Sequence, residues 1–245
     1  MNWTMKYSLF PAIIVLLFAS PAMGLCDVPQ PRLVCAEYFA SKVVVEASLV
    51  KVKSIHDKDD PQGVAAHEYS LHASQVIRGH IDPAFVVHEG NDSGRATFDW
   101  KVGRGYLLFL SYSDSDKAWE LDGCGNSGPV SGAKAILQQI ADIQASHEGG
   151  VIHGVISQQA LSAPVSDVHV EARGANGHYT ATTNSKGEFE IKVPAGRFAV
   201  HATKAGFSFA TADFSYENPN KVQIESGGCA QVQLVSVGET SQPPR

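Results

Sequence analysis

From Lys42 to Ile55 the chain reads KVVVEASLVKVKSI, β-branched runs interleaved with polar positions. A period of two predicts a long strand there. The loop HDKDDPQG follows, and HEYSLHASQVIRG returns as a second strand. PAFVVHE predicts a short third strand, GYLLFLSYS a buried fourth, and KAWELD a fifth before the turn GCGNSGP. The period then changes. GAKAILQQIADIQAS sets Ala133, Ile136, Leu137, Ile140 and Ile143 on one helical stripe, with Ser131 where an N-cap belongs. Five strands closed by a helix is the inventory of a small Greek-key barrel, assigned to residues 25–146.

A polar junction from His147 to Gly150 separates this pattern from a second one. Eight short runs follow: VIHGVIS, DVHVEAR, HYTATTN, EFEIKV, RFAVHATK, SFATADF, KVQIE and AQVQLVSV, with turn residues between them. Such regular alternation predicts a β-sandwich over residues 149–237, one face of each sheet buried. GETSQPPR (238–245) lacks apolar partners and is expected to fray. The predicted fold class is all-β dominated with two domains: an OB-like β-barrel with a terminal helix, then a seven- to eight-stranded β-sandwich.

The first 24 residues have a different character. Lys6 precedes an apolar stretch from Leu9 to Ala19, too short to anchor a chain in a bilayer. Ala22 and Gly24 occupy the −3 and −1 places of a signal-peptidase site. Cleavage after Gly24 makes the mature protein secreted or periplasmic, with no membrane span. Export gives the four cysteines (Cys26, Cys35, Cys124, Cys229) an oxidising setting. No CxxC pair supports a redox motif or a zinc ribbon. Four cysteines allow three complete pairings, and the bridge expected first ties Cys26 or Cys35 to Cys124.

The chain of 245 residues is 44% apolar and carries a formal charge of −6, with mean hydropathy −0.08. This balance excludes a disordered chain, a multi-span membrane protein and a coiled coil. No lysine/arginine cluster offers a footprint for nucleic acid. Sandwiches of the predicted kind are a fold class often used for carbohydrate or protein recognition, and by that analogy an extracytoplasmic carbohydrate or protein is the expected partner.

GVIHGVIS, APVSDVHVEA and TTNSKGEFEIKVPAGRFAVHATKAGF occur in that order between Gly149 and Val237. This ordered set resembles the carboxypeptidase regulatory-like module, a transthyretin-like sandwich. In it Asn184 to Gly187 forms a hairpin turn, and Phe189, Ile191 and Val193 face one way. The first module resembles the netrin-like barrel shared with tissue inhibitors of metalloproteinases. That match rests on Cys26 and Cys35 ahead of VVVEASLVKV, then VIRG, GYLLFLSYS, Cys124 and the terminal helix. The resemblance implies, as the alternative function, metalloprotease inhibition through a free α-amine on an N-terminal cysteine. Here Leu25 stands before Cys26, and one cysteine replaces the family's Cys-x-Cys.

Several constellations suggest chemistry and fail its spacing rules. His67 and Ser127 have the flavour of a serine-protease pair, on too little chain for two barrels. His67 and His72 are five residues apart, about 140° around a helix, where zinc needs four. His153, His169 and His201 sit on separate predicted strands, and Asp57, Asp59 and Asp60 crowd a loop without the calcium-loop glycine. Asn91-Asp92-Ser93 matches a glycosylation sequon. No phosphate loop or nucleophile elbow is present, and no cofactor is expected. The reading is a non-enzymatic binding or scaffold protein. Its candidate surfaces are the barrel face bearing Tyr69, Trp100 and Tyr106, and the sandwich turns Ala175 to His178, with Tyr179, and Asn184 to Gly187.

Overall fold

A computed structural model describes residues 31–91, 95–146, 149–159, 163–213 and 215–239. The expected leader (1–24), Cys26 and residues 240–245 of the expected tail lie outside the described residues.

The first half holds helix α1 (Val34–Ala40) and strands β1 (Val43–His56), β2 (Val64–Arg78), β3 (Ala84–Gly90), β4 (Gly105–Ser113), β5 (Ala118–Leu121) and β6 (Gly128–Pro129). Helix α2 (Lys134–Ala145) ends it. β1 pairs with β2 on one side and β4 on the other, and β3 runs parallel to β5, so the ring closes as β1-β2-β3-β5-β4-β1. Bulges between Val44 and Val45, Glu46 and Ala47, and Leu49 and Lys51 bend β1 enough to serve two neighbours.

The unbroken apolar runs VVV and LLFL follow from burial on both faces. Val43, Val45, Leu49, Tyr106, Leu108 and Leu110 fill the barrel, while Val44, Leu107 and Phe109 point outward beneath the helices. There they meet Val34 and Tyr38 of α1 and Ala133 and Ile140 of α2. The predicted α2 stripe packs as expected. Ser131 does not cap it: a 3-10 turn (Val130–Gly132) intervenes and Ala133 is the N-cap residue.

The second half contributes β7 (Gly150–Gln158), β8 (His169–Gly174), β9 (Gly177–Thr182), β10 (Glu188–Val193), β11 (Gly196–Thr203), β12 (Phe207–Thr211), β13 (Val222–Ile224) and β14 (Gly228–Glu239). They form two four-stranded sheets, β10-β7-β14-β12 and β13-β11-β8-β9. Residues of alternate parity, among them Ile152, Phe189, Ile191, Val200, Val232 and Leu234, fill the space between them. The 184–187 turn forms as predicted. Asn184 Oδ1 accepts from the Lys186 and Glu188 amides, and Gly187 takes φ 73°, a region costly for other residues.

Helix α1 joins the two halves. Its Cys35 is disulfide-bonded to Cys229 on β14, with 5.7 Å between their Cα atoms. Of the two expected alternatives, Cys26 or Cys35 to Cys124, this pairing rules out the one through Cys35; Cys26 lies outside the described residues. Cys35 lies on the helix face turned toward β14, which a sequence separation of 194 conceals. Cys124 is also disulfide-bonded.

Beside the bridge, the Gln231 side chain mimics a strand edge: its Oε1 accepts from Leu33 N at 2.8 Å and its Nε2 donates to Pro31 O at 3.0 Å. Arg78 at the end of β2 lies over the rings of Tyr38 and Phe39 and pairs with Glu225 of the sandwich at 2.7 Å. Barrel and sandwich keep separate cores and share a covalent, hydrogen-bonded joint.

Candidate functional site

The sequence-nominated barrel surface is not a surface. Tyr69 and Tyr106 are 5% and 0% exposed, and Trp100 stacks on Tyr69 with ring centroids 4.3 Å apart. Phe98 and Trp100 fold onto Tyr106 at 5.5 and 4.7 Å, so the 95–101 segment plugs the barrel mouth. Both hydroxyls are engaged. Tyr69 donates to Glu89 Oε2 at 2.8 Å, and Tyr106 accepts from Lys101 N at 2.6 Å. The physical reason is parity: Tyr69 is in phase with Leu71, and Tyr106 with Leu108 and Leu110, all facing the interior.

Of the sandwich pair, Tyr179 packs edge-on against Phe198 at the border of the core. His178 is exposed, its Nδ1 2.6 Å from Glu171 Oε1, and Glu171 also holds Arg173 at 2.7 Å. These hydrogen bonds, Arg173 first, hold the Glu171 carboxyl below its ordinary range.

The constellations that failed on spacing are also separated in space. His67 Nδ1 is 3.4 Å from Ser54 Oγ, whereas Ser127 Oγ accepts from Phe109 N, opposite Val44. Ser54 and Val44 are roughly 30 Å apart along an extended strand. Asp57 and Asp60 accept the amides of Asp59 and Gln62 in local turns. His153 lies in one sheet, and His169 and His201 in the other. Among the described residues, no group of three histidines, cysteines or acids converges on a metal position. Asn91 donates to Val64 O and accepts from Arg95, while the rest of its sequon lies outside the described residues.

Sequence reasoning missed a cleft of about 620 Å³ on the sandwich, beside the joint. Its walls are Pro31 to Leu33, His153 and Gly154 of β7, Ala181 and Thr182 of β9, Asn184 of the turn, and Glu188 to Glu190 of β10. The alternation EFEIKV sends Phe189 and Ile191 into the core and Glu190 outward, next to His153 across the strand pair. His153 Nδ1 is 3.8 Å from Glu190 Oε2. Burial holds the imidazole below its ordinary value, against the raising effect of Glu190. Glu188 Oε2 accepts from Asn184 Nδ2 at 3.0 Å. Arg32 pairs with Asp122 at 2.6 Å and lies over the Tyr216 ring. Two signals pointed here: glutamates at alternate positions of one strand, and a histidine in phase with them on its neighbour.

Behind the cleft the joint buries carboxyl groups. Glu37 is 1% exposed; its Oε2 accepts from Asn126 N and Nδ2, both at 2.6 Å. Burial pushes its carboxyl up, against Arg32 and the Asn126 donors. Glu217 and Ser215 take up amides of β14: Gln231 N donates to Glu217 Oε1 at 3.3 Å and Gln233 N to Ser215 Oγ at 3.0 Å. Burial pushes the Glu217 carboxyl up to about 7, outweighing the Gln231 amide and Arg32.

Residues 151–237, the span of the sandwich, match the model of the carboxypeptidase regulatory-like domain family. No curated protein matches the chain. Among solved structures, the C-terminal fragment of the pilus adhesin SpaC from Lactobacillus rhamnosus GG aligns with 87% of this chain and 94% of its own, at 10% identity and TM-score 0.28. A variant of BcpA, the major pilin subunit of Bacillus cereus, aligns with 80% of this chain and 60% of its own, at 9% identity and TM-score 0.29. At such scores neither likeness bears on what the chain does.

Proposed function

We propose that this chain is an exported, non-enzymatic binding or scaffold protein, its barrel and sandwich held as one body, which meets an extracytoplasmic protein or carbohydrate in the cleft beside the joint. The observation that carries the reading is the cleft itself. It is walled by three strands of the sandwich and by a segment fixed in place through Gln231 and, one turn on, the Cys35–Cys229 bridge. A preformed concavity with a few convergent polar groups is the usual form of a ligand site. Disulfides persist in oxidising compartments, which supports export and a periplasmic or secreted location. His67 and Ser127, the pair that suggested hydrolysis, are engaged with Ser54 and the Phe109 amide at separate places on the barrel. A netrin-like identity for residues 25–146 is part of the same proposal, supported by the closed five-stranded ring and its terminal helix.

The test is site-directed photo-crosslinking. Thr182, exposed on the cleft wall, is replaced by a photoreactive phenylalanine analogue in the mature full-length protein. The protein is irradiated in the envelope fraction of its source and, in parallel, incubated on a glycan array. A saturable adduct or glycan signal, competed by unlabelled protein and absent when the label is moved to Lys53, supports the reading. A pattern indifferent to label position contradicts it.

A further inference from the structure

Val102 and Val50 are the two most exposed large apolar side chains among the described residues, at 64% and 58%, and the fold brings them together. Leu49 N donates to Arg104 O at 3.0 Å, and Leu49 O accepts from Gly103 N at 2.8 Å. These bonds carry the β1–β4 ladder one step past Gly105 and set Val50 beside Val102.

The turn that presents Val102 is firmly held. Arg104 N donates to Lys101 O at 3.1 Å, Gly103 takes φ 81°, and Lys101 N donates to the Tyr106 hydroxyl at 2.6 Å. A Cβ on Gly103 would meet nothing within 4 Å, so the turn projects into solvent. On β1, the bulge between Leu49 and Lys51 inserts Val50 as an extra residue. Lys51 pairs with Ser70 of β2, and Ser70 with Val86 of β3, itself 42% exposed. The row from Val102 to Val86 crosses three strand spacings, roughly 14 Å. None of the three valines belongs to either core of the barrel half, so folding gains little from them.

Cations surround this row. Lys101 and Arg104 flank Val102 in the turn, and Lys51 follows Val50. All three are exposed, and none has an ion-pair partner among the described residues. Two acids stand near: Glu68 is paired with Lys53 at 3.0 Å, and the exposed Asp99 lies two residues before Lys101. Along the chain these cations form no cluster; strand pairing assembles one. The whole chain carries −6, so a local positive excess also fixes which face turns toward an anionic surface.

Protruding aliphatic tips ringed by unpaired cations suit the headgroup layer of an anionic bilayer, where valine enters the acyl boundary and lysine or arginine meets phosphate. A soluble polyanion would engage the cations and leave the valines in water. We propose that this face of the barrel, Val50, Val86 and Val102 with Lys51, Lys101 and Arg104, docks the protein peripherally on a bilayer rich in anionic phospholipid. It shares no residue with the sandwich cleft.

The experiment is cosedimentation of the mature protein with vesicles of phosphatidylcholine alone or of phosphatidylcholine with one third phosphatidylglycerol. Partitioning onto the anionic vesicles is expected to exceed that onto the neutral ones at least tenfold, and to fall at least tenfold between 0.05 M and 0.5 M salt. Each cation near the surface contributes roughly fivefold. Lys51→Gln/Lys101→Gln/Arg104→Gln, with thermal unfolding unchanged, is therefore expected to lose at least tenfold. Lys186→Gln/Lys192→Gln/Lys221→Gln, an equal change of net charge on the sandwich, is expected to bind as wild type does. Val50→Ser/Val102→Ser is expected to lose at least threefold on anionic vesicles and nothing on dextran sulfate.

Equal partitioning onto neutral and anionic vesicles, or none onto either, overturns the proposal. So does a sandwich variant that loses as much as the barrel variant, since net charge alone would then explain the binding. A valine variant that holds anionic vesicles as well as wild type also overturns it, and assigns the face to soluble polyanions instead.

Discussion

Glu217 makes the stability of the joint depend on pH in a direction opposite to that of most carboxylates. Its folded-state value of about 7 lies above the 4.5 of an ordinary glutamate, because burial disfavours the charged form. The folded state therefore holds this proton more tightly than the unfolded chain does. Stability is fully present below pH 4.5, declines as pH rises through 7 and is flat above about pH 8. A difference of roughly 2.5 units corresponds to about 3 kcal/mol between the two plateaus. In Glu217→Gln the side chain keeps a carbonyl to accept from the Gln231 amide but has nothing to ionise. Guanidinium denaturation of wild type and variant, disulfides intact, at pH 4.5, 6, 7 and 8 checks this. Near pH 4.5 the two are expected within about 1 kcal/mol of each other. At pH 8 the variant is expected to be more stable by about 2 to 3 kcal/mol. The Glu37 contribution, also raised by burial, is common to both proteins and cancels in the difference. A gap that stays constant across this range, or one that favours wild type increasingly toward pH 8, refutes the reasoning.

Other perturbations probe the joint and the barrel separately. A Cβ at Gly125 would collide with the buried Glu37 carboxylate, so Gly125→Ala is expected to cost about 2 kcal/mol, and far less in a Glu37→Ala background; a double-mutant cycle by chemical denaturation measures the coupling. Trp100→Ala opens the plug over Tyr69 and Tyr106 and is expected to cost about 3 kcal/mol while leaving ligand affinity at the cleft unchanged, as titration beside thermal unfolding will show. Cys35→Ser/Cys229→Ser removes a cross-link spanning 194 residues, worth about 5 kcal/mol in the chain-entropy picture, and calorimetry is expected to show a lowered midpoint.

The strands and α2 were legible because their alternation matches what they bury. Val43, Val45 and Ala47 on one parity and Val44 on the other already imply two covered faces, and the PAG and NSKG turns fix the sandwich hairpins. Helix α1 was not legible. At seven residues, with Leu33 at its N-cap and no side-chain cap, it carries none of the signals that mark a helix start. Missing α1 hid its consequences. CAQVQLVSV reads as a strand with one wet face, yet Gln231 and Gln233 on that face are 0% and 1% exposed, on the strand that α1 packs against. The aromatic residues of the barrel were visible and their direction was not drawn from them, although Tyr69 shares the phase of Leu71. The cleft needs Pro31 to Leu33 beside β10, a neighbourhood created by the Gln231 hydrogen bonds rather than by any local pattern.

Non-reducing peptide mapping of the exported protein is the most direct check on the claim that helix α1 fastens the two β modules together. A cross-linked species joining the Cys35 and Cys229 peptides, with no free thiol at either, is the predicted result. Recovery of Cys35 paired with Cys26 or Cys124, or of Cys229 as a free thiol, would contradict it.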